Sequence, residues 1–326
     1  MFPFLKDKRA IPGLTGIELR EDGVSVVSVL REPGRVPRVT ACDFVAWNGA
    51  EEREKVLSRV STEHHLKRAR CTTVLDSNEY SLLLTEAPDV PGEELRAAVR
   101  WRIKDLIDFH VDDATIDVFD VTTPNAPGKT RSMYVVAARN AAIQRRVDMC
   151  DAAGIGLDII DIPEMAQRNL AAILSEDVRG VVMLTLTPTR GLITITRQGE
   201  LFLSRRFEVG LDALRAGGDP APYVDQAAIE MRPALAHFDQ IVLEVQRSLD
   251  YFDSHFRQAH VDQLVLSPSA GGIPGLVEHL NQNLNIKASV LNFSDVLQFD
   301  AAHAGILSDR GLVALGAALR QEEKAL

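Results

Sequence analysis

The stretch Ser267–Leu276, "SPSAGGIPGL", follows the apolar run "VDQLVL" and carries Gly271-Gly272 at a strand-to-helix turn. Paired glycines there let backbone N–H groups approach a phosphate, because no Cβ stands in the way. The same pair also serves as a tight turn before a helix starting at Pro274, and that is the better reading of these two residues. Other reactive side chains are scattered. His64-His65 lies in a polar run and reads as solvated surface rather than a metal site. Asp250, Asp253 and His255 share a long helix with an aromatic stripe, and read as its polar flank rather than an acid–His pair. Gly154-Ile155-Gly156 lacks the third glycine of a dinucleotide fingerprint and reads as a helix end, since "AAG" is a common C-cap pattern. No Gly-x-Ser-x-Gly elbow, Walker loop or His-Glu-x-x-His helix is present.

The elements that position these residues form two similar openings. "TGIELR", "EDG" and "VSVVSVLR" read as a hairpin around Glu21-Asp22-Gly23, followed by a third strand, "RVTACDFVAW". "VVMLTLT" and "GLITITRQGELFLSRRF" repeat the pattern, with a hairpin turn at Arg197-Gln198-Gly199-Glu200. Two meander-led halves suggest an internally duplicated α/β protein. An α+β insertion over residues 72–165 separates them, interrupted by the loop "TPNAPGKT". Two helices are well marked. Residues 93–107 place Leu95, Val99, Ile103 and Leu106 on one face, and residues 234–257 place Phe238, Ile241, Val245, Leu249, Phe252 and Phe256 at helical spacing. The loop "RAGGDPAPYVD" reads as exposed and mobile.

The 326 residues are enough for two domains, and 46% apolar with 25% charged residues is ordinary for a globular protein. A net charge of −10 argues against nucleic acid as the main partner. Cys42, Cys71 and Cys150 are odd in number and far apart, which points to free, mostly buried thiols in a reducing compartment. The opening "MFPFLKDKRAIPG" is too short and charged for a signal peptide, and no apolar run approaches the roughly 18 residues of a membrane span. The expectation is a cytosolic protein.

Many segments, in order, resemble PilM-type pilus assembly proteins of the actin-like ATPase superfamily. They include the long stretch from "VLDSNEYSLLLTEAP" to "IDVFDV", then "YVVAARN", "AAGIGLDIIDIPEMAQRNL" and "EVQRSLDYF". The form of "SLLLTEAP", "WRIKDLIDF" and "TRQGELFLSRRF" is most similar to the MshI type, from mannose-sensitive haemagglutinin (MSHA) pili. The resemblance implies a duplicated actin-like (ribonuclease H-like) fold of the FtsA/PilM type with an inserted α+β subdomain. It assigns residues 1–170 to the first half, with about 72–165 inserted, and 171–326 to the second. A C-terminal helix at about 309–322 would return to the first half.

In this superfamily ATP sits between the halves, held by glycines and carboxylates that face the phosphates and the shell of Mg²⁺. Where the family reads Gly-Ile-Asp-Ile-Gly-Ser and then a Lys, this chain has Gly16-Ile17-Glu18-Leu19-Arg20-Glu21, with Ser25 in place of the Lys. The acid survives as Glu18, and Arg20 replaces the glycine. Where the family reads Val-Asp-Ile-Gly, this chain has Leu184-Thr185-Leu186-Thr187, followed by Pro188, which has no N–H. The family's adenosine Gly pair falls on Pro268-Ser269. The resemblance therefore implies a degenerate nucleotide site with no cofactor. The alternative is a working ATP-binding switch with Mg²⁺. A sugar kinase of the same superfamily is disfavoured by Thr185 and Thr187.

The implied role is a scaffold of type IV pilus assembly on the cytoplasmic face of the inner membrane. It would bind the cytosolic N-terminal segment of a PilN-like (MshJ-like) subunit and contact other inner-membrane platform subunits, without catalysis. The candidate partner-binding residues are Trp101, Arg100 and Arg102. Trp101 projects away from the apolar stripe of its helix, so it is either packed by another wall of the subdomain or offered to a partner.

Overall fold

A computed structural model of the protein describes residues 12–121, 131–215, 227–256 and 260–321. The loops "TPNAPGKT" and, beyond Arg215, "RAGGDPAPYVD" lie outside them, as do the first eleven residues. The chain divides into two compact units. One contains the residues up to Ala166 together with those from Leu297 onward, and the other runs from Gln167 to Val296.

The first unit is built on the meander β1 (Leu14–Leu19), β2 (Gly23–Leu30) and β3 (Arg38–Ala46). Two parallel strands, β4 (Cys71–Val74) and β8 (Leu157–Asp161), complete a five-stranded sheet in the order β3-β2-β1-β4-β8. Successive side chains of β1 face opposite sides of the sheet. Ile17 joins Val24, Val26, Leu57, Val60 and Cys150 in a core that takes residues from α1 (Ala50–Glu63) and α3 (Asn140–Ala152). Gly16, one residue earlier, faces α10 (Leu312–Ala318), which follows the short α9 (Ala304–Asp309). A Cβ on Gly16 would lie 1.9 Å from the Ala314 carbonyl oxygen, so glycine is what lets α10 lie on β1. α10 also packs on β2 and β4.

Between β4 and α3 stands a separate three-stranded antiparallel sheet, ordered β5 (Tyr80–Glu86), β7 (Ser132–Arg139) and β6 (Ala114–Val121). The stretch 72–165 read as inserted thus also contains β8 and nearly all of β4, which are strands of the main sheet. α2 (Gly92–Ile103) covers one face of the small sheet, with Val99 and Ile103 against Val118, Met133, Val135 and Ala137. The helix stops at Ile103, short of the expected residue 107, and Leu106 is exposed rather than part of the stripe. Ile107 and Phe109 fill the core beyond the helix instead. Asp105 and Asp108 would also oppose the negative end of a longer helix.

The second unit follows α4 (Pro163–Ala171), whose last residues belong to it, and repeats the topology. β9 (Val181–Leu186), β10 (Gly191–Arg197) and β11 (Glu200–Phe207) form the meander. β12 (Gln263–Leu266) and β13 (Lys287–Val290) complete the sheet, in the order β11-β10-β9-β12-β13. The β10–β11 turn puts Gln198 and Gly199 at positive φ, the geometry of a tight hairpin. α5 (Leu211–Arg215) precedes the long α6 (Ala227–Phe256), and α7 (Pro268–Gly271) and α8 (Leu276–Asn283) lie between β12 and β13. All six apolar residues of the α6 stripe are buried, and Phe202 of β11 meets Phe252 and Phe256 edge-on. Burial of each such side chain contributes about 1.5–3 kcal/mol.

Candidate functional sites

The β1–β2 hairpin carries Glu18 and Arg20. Gly23 closes it by accepting a backbone bond from the Arg20 N–H (2.9 Å), and a Cβ on Gly23 would strike the Phe44 ring. The Arg20 guanidinium donates through Nε to Asp22 Oδ1 at 3.0 Å and lies 3.6 Å from Glu18 Oε1. Arg310 approaches the other Asp22 oxygen at 3.0 Å. Glu18 Oε2 is buried and has no hydrogen-bond partner. Burial pushes the Glu18 carboxyl up to about 7, with Arg20 opposing and the negative charges of Asp76 and Asp22 adding to the rise. Burial also raises Asp76, against the pull of Arg146. Ser25, at the family's Lys position, is buried and donates to the Arg310 carbonyl at 2.6 Å. An internal guanidinium thus stands between two carboxylates in the hairpin where the family has a glycine facing the phosphates.

In the second unit Thr185 and Thr187 serve the protein's own structure. The Thr185 hydroxyl donates to Gln167 Oε1 at 2.6 Å, and Gln167 Nε2 donates to the Met183 carbonyl and the Thr194 hydroxyl. Thr187 Oγ1 accepts from the Arg190 N–H and donates to the Arg190 carbonyl, each at 3.0 Å, closing the β9–β10 turn. The Pro188 carbonyl accepts from the Asp212 N–H at the start of α5, and Gly210 lies so close that a Cβ there would meet it at 2.3 Å.

The third segment forms the short helix α7. Ser267 caps it by accepting from the Ala270 N–H, Pro268 occupies its first turn, and Ser269 Oγ meets Ser267 Oγ at 3.2 Å. The N–H groups of Gly271 and Gly272 donate to the Ser267 and Pro268 carbonyls. The glycine pair therefore ends α7 and does not open a helix at Pro274. That next helix, α8, begins at Leu276 behind Gly275, which adopts the left-handed conformation. Gly271 is required by contact: a Cβ there would lie 2.4 Å from the Val290 side chain. Within each unit, the Arg20, Thr185, Thr187 and Ser269 side chains, in the segments that resemblance assigns to phosphate and adenosine, bond to their own chain, while Glu18 Oε2 has no partner. These residues do not fit Mg-ATP.

On α2, Trp101 is 78% exposed, so no other wall of its subdomain packs it among the described residues. Lys104 Nζ lies 5.8 Å from its ring centroid. Arg100 pairs with Asp112 at 2.9 Å, and Arg102 donates to the Glu86 carbonyl. The two arginines thus brace the helix while Trp101 stands clear of them. The remaining candidates are local structure. His64 lies 3.4 Å from Asp43, and His65 has a φ of 53°. His255 stacks on Tyr251, while Asp253 pairs with His260. Gly154, at φ 68°, follows the end of α3. Cys42, Cys71 and Cys150 are buried and in no disulfide, and burial raises the Cys42 and Cys150 thiols to about 12 and about 11. The bracing roles of Gln167 and Arg310 were not anticipated. The one available signal was Thr185 and Thr194, whose hydroxyls on adjacent core strands require a polar partner.

The meander followed by two parallel strands, present once in each unit, defines a duplicated actin-like fold. A solved structure described as a PilM–PilN type IV pilus biogenesis complex is similar over 94% of this chain and 98% of that chain, with a TM-score of 0.75 and 18% identity. A Bacteroides thetaiotaomicron protein of actin-like ATPase fold and unknown function is similar over 99% and 100%, with a TM-score of 0.51 and 11% identity. Residues 83–214 match the family model of the type IV pilus assembly protein PilM. Over those residues the chain is similar to PilM. No helix among the described residues is long and apolar enough to cross a membrane.

Proposed function

We propose that this protein is a non-catalytic, actin-like scaffold of type IV pilus assembly. It takes up the cytosolic N-terminal segment of a PilN-like inner-membrane subunit, and reaches the membrane through that partner and other platform subunits. The pilus role is supported by the family match over residues 83–214 and the fold shared with a PilM–PilN complex. The finer assignment, to MSHA-type pili with an MshJ-like partner, rests on the MshI-like form of "WRIKDLIDF" and "TRQGELFLSRRF". The non-catalytic reading is carried by one observation: Arg20 places its guanidinium between Glu18 and Asp22. A metal or a phosphate brought to that hairpin would have to displace it. The alternative, an ATP-binding switch in the same machine, requires that displacement. Calorimetric titration with Mg-ATP, alone and with a partner peptide, separates the two readings.

The partner surface includes the exposed side of α2. Trp101 is the anchor, since a large aromatic is a favoured hot spot, while Arg100 and Arg102 hold the helix and edge the contact. Fractionation tests the location. The protein is expected at the membrane when the pilus inner-membrane subunits are present and off it when they are absent. Stable membrane retention without them contradicts the scaffold reading.

A further inference from the structure

β5 is an outer strand of the small three-stranded sheet, and its ladder with β7 decides which of its backbone groups remain free. The Arg139 N–H donates to the Glu79 carbonyl at 3.4 Å, and the Ala87 N–H to the Arg131 carbonyl at 2.6 Å. Hydrogen-bonded pairs alternate along an antiparallel ladder, and Leu83 lies opposite Val135. Ser81, Leu83 and Thr85 therefore bond to β7, while Leu82 and Leu84 turn their N–H and carbonyl groups outward. No hydrogen bond among the described residues reaches these outward groups. The next outward carbonyl, that of Glu86, is taken by Arg102.

An open edge is a template for another strand, so outer strands usually carry charges, prolines, bulges or a cover that block pairing. The other outer strands have such guards. β6 carries Asp117 and Asp120, β8 carries Asp158 and Asp161, β11 carries Arg205 and Arg206, and β13 starts at Lys287. β3 is bridged by Gln298, which accepts from the Val39 N–H and donates to the Pro37 carbonyl. β5 has no proline and no bulge, and its one charge is Glu86, at its end. The strand also matches itself. Ser81-Leu82-Leu83-Leu84-Thr85 reads alike in chemistry from either end, with Leu83 at the centre. In an antiparallel pair of two copies centred there, Leu82 stands opposite the second copy's Leu84, and every outward group of both residues finds a partner. Leu83 meets Leu83, and Ser81 meets Thr85, a hydroxyl pair that bonds across strands. Glu86 meets Tyr80 rather than another carboxylate. Leu82 and Leu84 are half-buried in the single chain, and the pairing covers more of both.

We propose that β5 is a self-association edge, at which two copies of this chain join antiparallel through Leu82 and Leu84 so that their small sheets become one continuous sheet. The contact is two-fold and closed, so it makes a dimer and not a filament. It is small, and the dimer is correspondingly weak. The proposal is independent of the pilus role and of the degenerate nucleotide segments.

The test measures sedimentation velocity and residue-resolved amide hydrogen exchange on the intact chain, from low micromolar to several hundred micromolar concentration. The expected result is a shift from monomer to dimer over that range, with exchange at Leu82 and Leu84 slowed by about tenfold or more in the dimer. Ser81, Leu83 and Thr85, already bonded to β7, change little. Two variants break the edge. Leu84→Lys puts a charge on it, and Leu84→Pro removes an N–H that β7 does not use. Each is expected to stay monomeric over the whole range, while Leu106→Lys, at an exposed leucine beyond α2, dimerises as wild type does. Should neither variant melt cooperatively, the exchange of the wild-type chain decides. A chain that stays monomeric overturns the proposal, as does a dimer in which Leu82 and Leu84 exchange as in the monomer. A dimer that persists in a folded variant also overturns it. Slowing at these two amides only when a PilN-like N-terminal peptide is added, with the chain still monomeric, overturns it as well and gives the edge to that partner.

Discussion

Glu18 is the residue whose chemistry the fold alters most plainly. Its carboxyl, raised by burial to about 7 from an ordinary 4.5, holds a proton in the folded state between those values that the unfolded chain releases. The folded state then binds more protons than the unfolded state, so this residue's contribution to stability falls as pH rises from about 4.5 to about 7, and is level on either side. Glu18→Gln removes the titration. The variant is expected to gain on wild type by about 3 kcal/mol or slightly more across that window, measured by urea unfolding at a series of pH values. A difference that does not change with pH would contradict the burial argument. Trp101 behaves differently. At 78% exposure it gives up little packing, so Trp101→Ala should change stability by no more than about 0.5 kcal/mol. The same change should weaken a PilN-like N-terminal peptide by roughly 2 kcal/mol or more. Calorimetry and thermal melting on this one variant check both numbers, and unchanged peptide affinity in a folded protein removes Trp101 from the site.

At the scale of elements, the β9–β10 pair shows how a segment resembling a phosphate loop becomes structural. Gln167 binds Thr185, Thr194 and the Met183 carbonyl, which joins the middle of α4 to two core strands. Thr185→Val keeps the shape and leaves Gln167 Oε1 without this donor, which should cost about 1–3 kcal/mol in chemical denaturation. A neutral result would mean that the hydroxyl is dispensable and the network loose. The α6 stripe was legible in the sequence because six apolar residues at helical spacing have one natural interior face, and all six are buried. The hairpins at Gly23 and Gln198-Gly199 were legible from turn chemistry. The end of α2 was not, because Ile107 and Phe109 replace Leu106 in the core, and that choice is tertiary. Periodicity placed Trp101 off the stripe but could not say whether anything covered it. α7 was missed because four residues are too few for a periodic pattern, and its mark is a single serine cap.

At the scale of the whole molecule, one strand order serves both units, and the chain from Leu297 onward belongs to the first. Gly16 makes that return close-packed. Gly16→Ala would push a methyl into the Ala314 carbonyl, and the expected outcome is a lower melting temperature with loss of α10 protection in hydrogen exchange. Within this frame the positions that the resemblance assigns to a nucleotide carry Arg20, Thr185, Thr187, Pro268 and Ser269. Arg20, Thr187 and Ser269 bond within their own hairpins and short helix, Pro268 stands in the first turn of α7, and Thr185 bonds to Gln167 of α4. The central claim is that this actin-like fold works without ATP. It is tested most directly by titrating the purified protein with Mg-ATP in a calorimeter while following phosphate release. The prediction is no saturable heat and no hydrolysis above background, with or without a partner peptide. A low-micromolar dissociation constant accompanied by phosphate release would contradict it and establish the ATP-driven switch instead.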